Sequence, residues 1–275
     1  MATARYVRLR LPVLGSRVGR VGDEDVVDVL DHDDPLAALA GVGEVALRVP
    51  LAEAELLPPV MAPEIWCAGV TYERSREARV EEARSEARTV YELVYDAERP
   101  ELFLKDAAMR RTVGPGGTIR VRGDADWSVP EPELGIVLDG DGRAVAVTIG
   151  NDVSSRDIEG ENPLYLPQAK VYAGACAIGP ALAVPDDWDT PFALRMRIAD
   201  GSGETLFAGE TSTASMRRSL ADLAAWVVRD NPLPAGSVLL TGTGLVPEDG
   251  YTLLPGHRVE IEIDGIGTLV NTVGA

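Results

Sequence analysis

The chain has 275 residues, of which 45% are hydrophobic, 25% charged and 5% aromatic, enough apolar material for one large domain or two smaller ones. Lysine and arginine total 26 against 44 aspartates and glutamates, a formal charge of −18. A surface that negative repels phosphate, so neither nucleic acid nor an anionic membrane is an expected partner.

A basic, alternating strand is predicted near Tyr6–Leu11. An acidic segment around Asp23–Asp34, a short helix at Pro35–Ala40 and an apolar strand near Val45–Val49 follow. Pro58, Pro59 and Pro63 then punctuate the chain. They set the expected boundary between a small N-terminal domain, residues 1–60, and a main domain, residues 61–275. Arg5, Arg8 and Arg10 are followed by no apolar core, so a signal peptide is not expected. The longest uncharged run, Asn231–Pro247, is too short and too broken by proline and glycine to span a bilayer. Cys67 and Cys176 are too few for a cysteine zinc site and read as small buried residues, so a cytoplasmic location is expected.

The main domain opens on a buried strand, Ile65–Val70, and continues into a highly charged helix over roughly Tyr72–Glu98, read as a solvated helix or flap. Strands are predicted at Leu102–Lys105, Thr118–Val121, Leu134–Leu138, Val145–Asn151, Ala193–Ala199, Ser237–Thr241 and Arg258–Ile263. One amphipathic helix, Ser215–Arg229, interrupts them, with Leu220, Leu223 and Val227 on one face. There is no regular βαβ alternation, no glycine-rich nucleotide loop and no repeat. The fold class is α+β, dominated by a largely antiparallel β body.

Only Lys105 and Lys170 are lysine; every other cationic side chain is arginine. Such a skew leaves lysine where a compact ammonium that can lose its proton is needed. His32, in an acidic stretch, and His257, in a Pro-Gly-His turn, do not resemble the base of a nucleophilic triad.

Glu131-Pro132-Glu133 is the first feature that carries chemistry. Proline holds the residue before it extended, and in a strand residues two apart share a face, so both carboxylates point the same way. Asp139-Gly140-Asp141-Gly142 then marks a hairpin. With Asp141-Gly142 as its central pair, cross-strand partners sum to 283, which sets Asp152 opposite Glu131 on the same face. Three carboxylates that close require a cation between them, and all-oxygen ligation favours Mg²⁺, with Mn²⁺ or Ca²⁺ as substitutes, over zinc. Arg156 either pairs with Asp157 or Glu159 on the surface or clamps a substrate carboxylate. Lys170 either balances the carboxylates or serves as general base or acid.

Gly69-Val70-Thr71-Tyr72, Phe103-Leu104-Lys105, Glu131-Pro132-Glu133, the run Asn151 to Asp157, Lys170, Thr241-Gly242-Thr243-Gly244 and Gly265 to Thr268 stand in the order seen in the fumarylacetoacetate hydrolase superfamily, which residues 61–275 resemble. Arg99 to Lys105, and Glu161 to Gln168 with Lys170, are similar to its 2-keto-3-deoxy-arabinonate dehydratase branch. The resemblance implies a mixed β-roll and one Mg²⁺ held by Glu131, Glu133 and Asp152. It implies Lys170 and Arg156 facing the substrate, Thr243 on its carboxylate, and Glu101 as proton-transfer partner of Lys170. Lys105 would stand at the mouth of the site, and Gln168 and Tyr72 would join the substrate contacts. A homodimer or homotetramer is the implied assembly.

Hydrolases of this superfamily carry a lid histidine just after the Asn-Tyr motif, whereas here the stretch reads Thr71-Tyr72-Glu73-Arg74-Ser75. Dehydration of a 2-keto-3-deoxy sugar acid, with C3 deprotonation and loss of the C4 hydroxyl, is therefore the expected reaction. Hydrolysis or decarboxylation of an acylpyruvate or other diketo acid, with water activated by Glu73 or Glu77, is the alternative. A non-enzymatic sugar-acid-binding protein is the third.

Overall fold

A computed structural model describes residues 2–73, 93–248 and 250–274 of the chain. Most of the charged helix expected over Tyr72–Glu98 falls on residues 74–92, outside the described residues.

The chain begins with β1 (Ala2–Leu11), β2 (Gly15–Val21), β3 (Val26–Leu30), helix α1 (Pro35–Leu39), β4 (Val45–Pro50) and β5 (Glu55–Leu57). In β1, Val7 and Leu9 are buried between outward-facing arginines, as the alternation requires. Asp34 caps α1 by accepting from the Leu36 and Ala37 N–H groups, with Pro35 in the first turn where its missing N–H is harmless. β3 corrects the reading of residues 23–34 as merely acidic. There Val27 and Val29 are buried, while Asp28 turns out to meet Arg48 at 2.7 Å.

Next come β6 (Glu64–Gly69), β7 (Glu101–Ala107), β8 (Thr112–Val113), β9 (Thr118–Arg120), β10 (Ser128–Val129), β11 (Pro132–Leu138), β12 (Ala144–Asp152) and β13 (Ser154–Ser155). Two short helices, α2 (Arg156–Glu161) and α3 (Leu166–Lys170), precede β14 (Cys176–Pro185), β15 (Ala193–Ala199) and β16 (Thr205–Ser212). Helix α4 (Leu220–Val227), β17 (Val238–Leu240), β18 (Arg258–Ile263) and β19 (Gly267–Gly274) complete the order.

One large sheet runs β4-β3-β2-β1-β14-β12-β11-β17-β6-β7, with β5 on β1 and β8 on β14; a second runs β16-β15-β18-β19-β9. Because β1 pairs with β14, the first strands extend the sheet that carries β11 and β12. Most pairs are antiparallel, but β17·β6, β14·β8 and β19·β9 are parallel, so the architecture is a mixed β-roll.

Leu134, Ile149 and Ala183 from the large sheet meet Met196, Ile261 and Leu269 from the smaller one in the main core. Further along β11, Ile136 and Leu138 take Leu223 and Val227 of α4, while Val137 on the opposite face joins Cys67, Ile178 and Leu240. Covered on both faces, β11 reads as a continuous apolar run. Helix α4 starts later than Ser215 because Ser219 caps it, its Oγ accepting from the Asp222 N–H at 3.1 Å. Among the described residues no helix is long and apolar enough to cross a membrane.

Candidate active site

Strand β11 starts at Pro132, where a missing N–H costs no ladder bond, and this leaves Glu131 and Glu133 flanking it on one face. Its register on β12 pairs Pro132 with Asn151 and Glu133 with Gly150, each sum being 283. The turn differs from the expected one, however. Asp139 N–H donates to Arg143 O at 2.9 Å around a left-handed Gly142 (φ 78°), and a bulge between Val137 and Leu138 restores the register. Asp152 N–H then donates to Glu131 O at 3.0 Å, setting the aspartate opposite the glutamate.

The ligand oxygens of Glu131, Glu133 and Asp152 lie within 4.8 Å of one another, and all three residues are buried. Burial first, then the neighbouring Asp152 and Glu131 carboxylates, hold the Glu133 carboxyl well above the usual carboxylate range, although the Gly242 N–H donates to its Oε2 at 2.6 Å. Three buried oxygen donors without histidine or cysteine suit a hard divalent cation such as Mg²⁺, whose charge permits all three to ionise together.

Lys170 ends α3 with its ammonium in this cluster. Nζ donates to Glu131 Oε2 and Asp152 Oδ2, both at 2.8 Å, and to Ser154 Oγ at 2.5 Å, with the Phe103 ring centre 5.8 Å away. Arg156, buried at the start of α2, reaches Glu131 Oε1 at 2.9 Å, so it grips a carboxylate of the cluster from inside the protein instead of lying on the surface. A cavity of 20 Å³ is lined by Gly69, Val70, Glu101, Phe103, the three carboxylates, Glu159, Lys170, Gly242 and Thr243. That is room for about one water, so a larger molecule enters only as lining side chains move outward.

The remaining expected residues divide. Glu101, half-buried on β7, and Thr243 line the cavity; Thr243 Oγ1 also donates to Leu245 O at 3.1 Å. Tyr72 is buried beside Glu133 without lining the cavity, and its phenol is held above the usual range by burial and by that carboxylate. Gln168 is exposed on α3 and lies outside the lining, because its neighbours Ala169 and Lys170 take the inward positions. Lys105 does not stand at the mouth. Its side chain is 0% exposed, with Nζ on Asp152 Oδ1 and 3.0 Å from Val153 O. Burial, the largest single influence, would lower its pKa, but the Asp152 carboxylate with the smaller influence of Cys67 and Cys176 leaves it raised, contrary to the expectation of an ammonium that sheds its proton.

The two histidines are elsewhere: His32 bonds Val42 O, and His257 meets Tyr251 and the Leu254 N–H. Glu73, a proposed activator of water, is exposed, and Glu77 lies outside the described residues.

Sequence reasoning did not single out Glu159, Ser154 or Val70 for the site. Glu159 is 3% exposed and one turn beyond Arg156, and that spacing on a helix was the available signal. Val70 lines the cavity at φ 50°, a left-handed conformation costing a β-branched residue about 1–3 kcal/mol, held here by the packed strand end.

Gly69 makes room for Glu101, because a Cβ there would collide with its carboxylate. Gly69→Ala is therefore expected to fold normally, the flexible carboxylate giving way, and to lower kcat by about 10- to 100-fold through misplaced proton transfer. Melting curves and initial rates check this; unchanged rates would remove Glu101 from the chemistry.

The family model described as fumarylacetoacetate (FAA) hydrolase C-terminal matches residues 64–274. A Haloferax volcanii protein named probable 2-keto-3-deoxyxylonate dehydratase is 53% identical over 216 residues, 78% of this chain and 73% of the relative. The 2-dehydro-3-deoxy-D-arabinonate dehydratase of Saccharolobus solfataricus is 45% identical over 218 residues, with the same shares covered. A solved structure of 2-keto-3-deoxy-D-arabinonate dehydratase complexed with magnesium and 2,5-dioxopentanoate superposes with a TM-score of 0.86 at 35% identity, covering 98% of each chain.

Proposed function

We infer, from a chain that belongs to the fumarylacetoacetate hydrolase family over residues 64–274, that the protein is a Mg²⁺-dependent dehydratase of a 2-keto-3-deoxy sugar acid. The observation that carries this reading is the buried Lys170 ammonium seated on the Glu131–Asp152 carboxylates, in a cavity that also holds Glu101 and has no histidine in its lining. Likeness to dehydratases of 2-keto-3-deoxy-pentonates, one of them solved with magnesium and 2,5-dioxopentanoate, supports both the metal and the product.

Glu131, Glu133 and Asp152 would hold the cation. When bound, it supplies a Lewis acid that polarises the 2-keto group and offsets the negative charge that develops as the C3 proton leaves. Lys170 Nζ, having first given its own proton to water, takes the C3 proton as a neutral amine, and a protonated Glu101 delivers its proton to the departing C4 hydroxyl, which leaves as water. Loss of a C5 proton and of the C5 hydroxyl proton, with return of two protons to C3 and C4, then leaves an aldehyde at C5, giving 2,5-dioxopentanoate from a five-carbon substrate. Arg156 and Thr243 orient the substrate carboxylate. Glu159, acceptor-only when ionised, faces the hydroxyl-bearing end of the sugar acid. Tyr72, packed behind Glu133, and Gln168, on the outer side of α3, would contact substrate only as the cavity opens.

Mn²⁺ or Ca²⁺ serves as a substitute metal, and the enzyme works as a cytoplasmic homodimer or homotetramer on a small 2-keto acid, without nucleic-acid or membrane partners. A net charge of −18 supports that last exclusion. The test is incubation with 2-keto-3-deoxy-pentonates, the aldehyde being read through a coupled NADP-dependent oxidation with and without EDTA. Aldehyde formed only with metal is expected. Pyruvate released from an acylpyruvate panel, with no aldehyde from the pentonates, would make the protein a hydrolase.

A further inference from the structure

The only two lysines of the chain converge on one side chain. Lys170 Nζ donates to Asp152 Oδ2 at 2.8 Å from the cavity side, whereas Lys105 Nζ holds Asp152 Oδ1 from behind. Lys105 lines no part of the cavity, its side chain is 0% exposed, and beside this ion pair its Nζ donates a hydrogen bond to Val153 O at 3.0 Å, fixing the backbone next to the aspartate. It also stands on the strand that supplies Glu101 and Phe103, at the bulge where the pairing passes from Leu104 to Asp106, so a single strand carries a cavity acid, the ring beside Lys170 and this ammonium.

We propose that Lys105 is a positioning residue for the divalent cation: it locks the Asp152 carboxylate and the Val153 peptide in the orientation that the Glu131–Glu133–Asp152 site requires, and ties that site to β7. Groups that orient a metal ligand from behind are worth about 10- to 100-fold in metal affinity. Arginine, used at every other cationic position, is a poor replacement because its planar fork is larger than the closed space between Asp152 Oδ1 and Val153 O. The inference rests on the assignment of the three carboxylates to a divalent cation and is independent of which sugar acid is consumed.

The test measures Mg²⁺ binding to the metal-stripped full chain by calorimetry without substrate, for wild type, Lys105→Met and Lys105→Arg. Lys105→Met, which keeps length and loses charge and donors, is expected to weaken Mg²⁺ about 10- to 100-fold. With Mg²⁺ raised to saturation, its substrate KM should stay within about twofold of wild type. Lys105→Arg is expected to fall between the two, and carries the same comparison if methionine prevents folding. A folded Lys105→Met chain whose Mg²⁺ affinity is within about twofold of wild type overturns the proposal. So does unchanged metal affinity with KM raised tenfold, which would put the ammonium on the substrate. Loss of dehydration with wild-type metal binding intact would instead overturn the assigned reaction and leave Lys105 untouched.

Discussion

Lys170→Met is expected to lower kcat by about 10²- to 10⁴-fold, the range over which a positioned general base contributes, while Mg²⁺ binding is kept or becomes tighter. The reasons are local. Lys170 is the only lysine lining the cavity, and its remaining charged lining residues are carboxylates. Its Nζ is held by Glu131, Asp152 and Ser154, so the ammonium has a fixed place from which to exchange a proton. Methionine preserves the volume beside Phe103 but has no proton to give or take. It also removes a positive charge from between two carboxylates, which favours a metal cation there. Initial rates and metal titration of the same preparation check both halves. A kcat within threefold of wild type would end the lysine's role.

Glu133→Gln should have an effect of similar size on activity and an opposite one on the metal-free fold. Residues that merely orient ligands are worth about 10- to 100-fold in affinity, so loss of a ligand itself should weaken Mg²⁺ by at least about 100-fold and abolish turnover with it. Stability moves the other way. The folded Glu133 carboxyl titrates well above its reference value of 4.5 because of burial and the carboxylates Asp152 and Glu131. Above that reference the unfolded chain has given up the proton that the folded chain still holds, so metal-free wild type loses stability as pH rises from about 4.5. Glutamine cannot ionise and still accepts the Gly242 N–H through its carbonyl, so the metal-free variant should melt higher than metal-free wild type at neutral pH. Thermal melts in EDTA from pH 5 to 8 measure the difference. A variant that melts lower throughout would mean that Glu133 is ionised and satisfied without metal.

The centre of the site was legible because it rests on short-range rules. Proline between two glutamates, a period of two and a glycine turn place Glu131, Glu133 and Asp152 on one face. The register sum came out as expected although the turn did not, since a bulge at Val137–Leu138 compensates a turn one residue different. The position of Lys105 was not legible, because it depends on β7, at one end of the large sheet, closing against the β12–β13 junction. Family likeness placed it at the mouth; packing puts it behind Asp152.

The missed strands have equally particular causes. β14 contains Gly179-Pro180, which reads as a turn, yet the proline stands where the register on β12 slips and no ladder bond is lost. β2 and β3 are short and interleaved with charge, and their valines become a face only once β1 is bound to β14. Sequence periodicity thus identified the strands that carry ligands and the two end strands β4 and β7 better than the interior strands β2, β3 and β14.

The most direct measurement follows the C3-dideuterated 2-keto-3-deoxy-pentonate by NMR in ordinary water with Mg²⁺. Dehydration through Lys170 predicts 2,5-dioxopentanoate that has lost one deuterium from C3. Cleavage to pyruvate and a two-carbon aldehyde, with both deuteriums retained, or a substrate left unchanged by metal and enzyme, would contradict it.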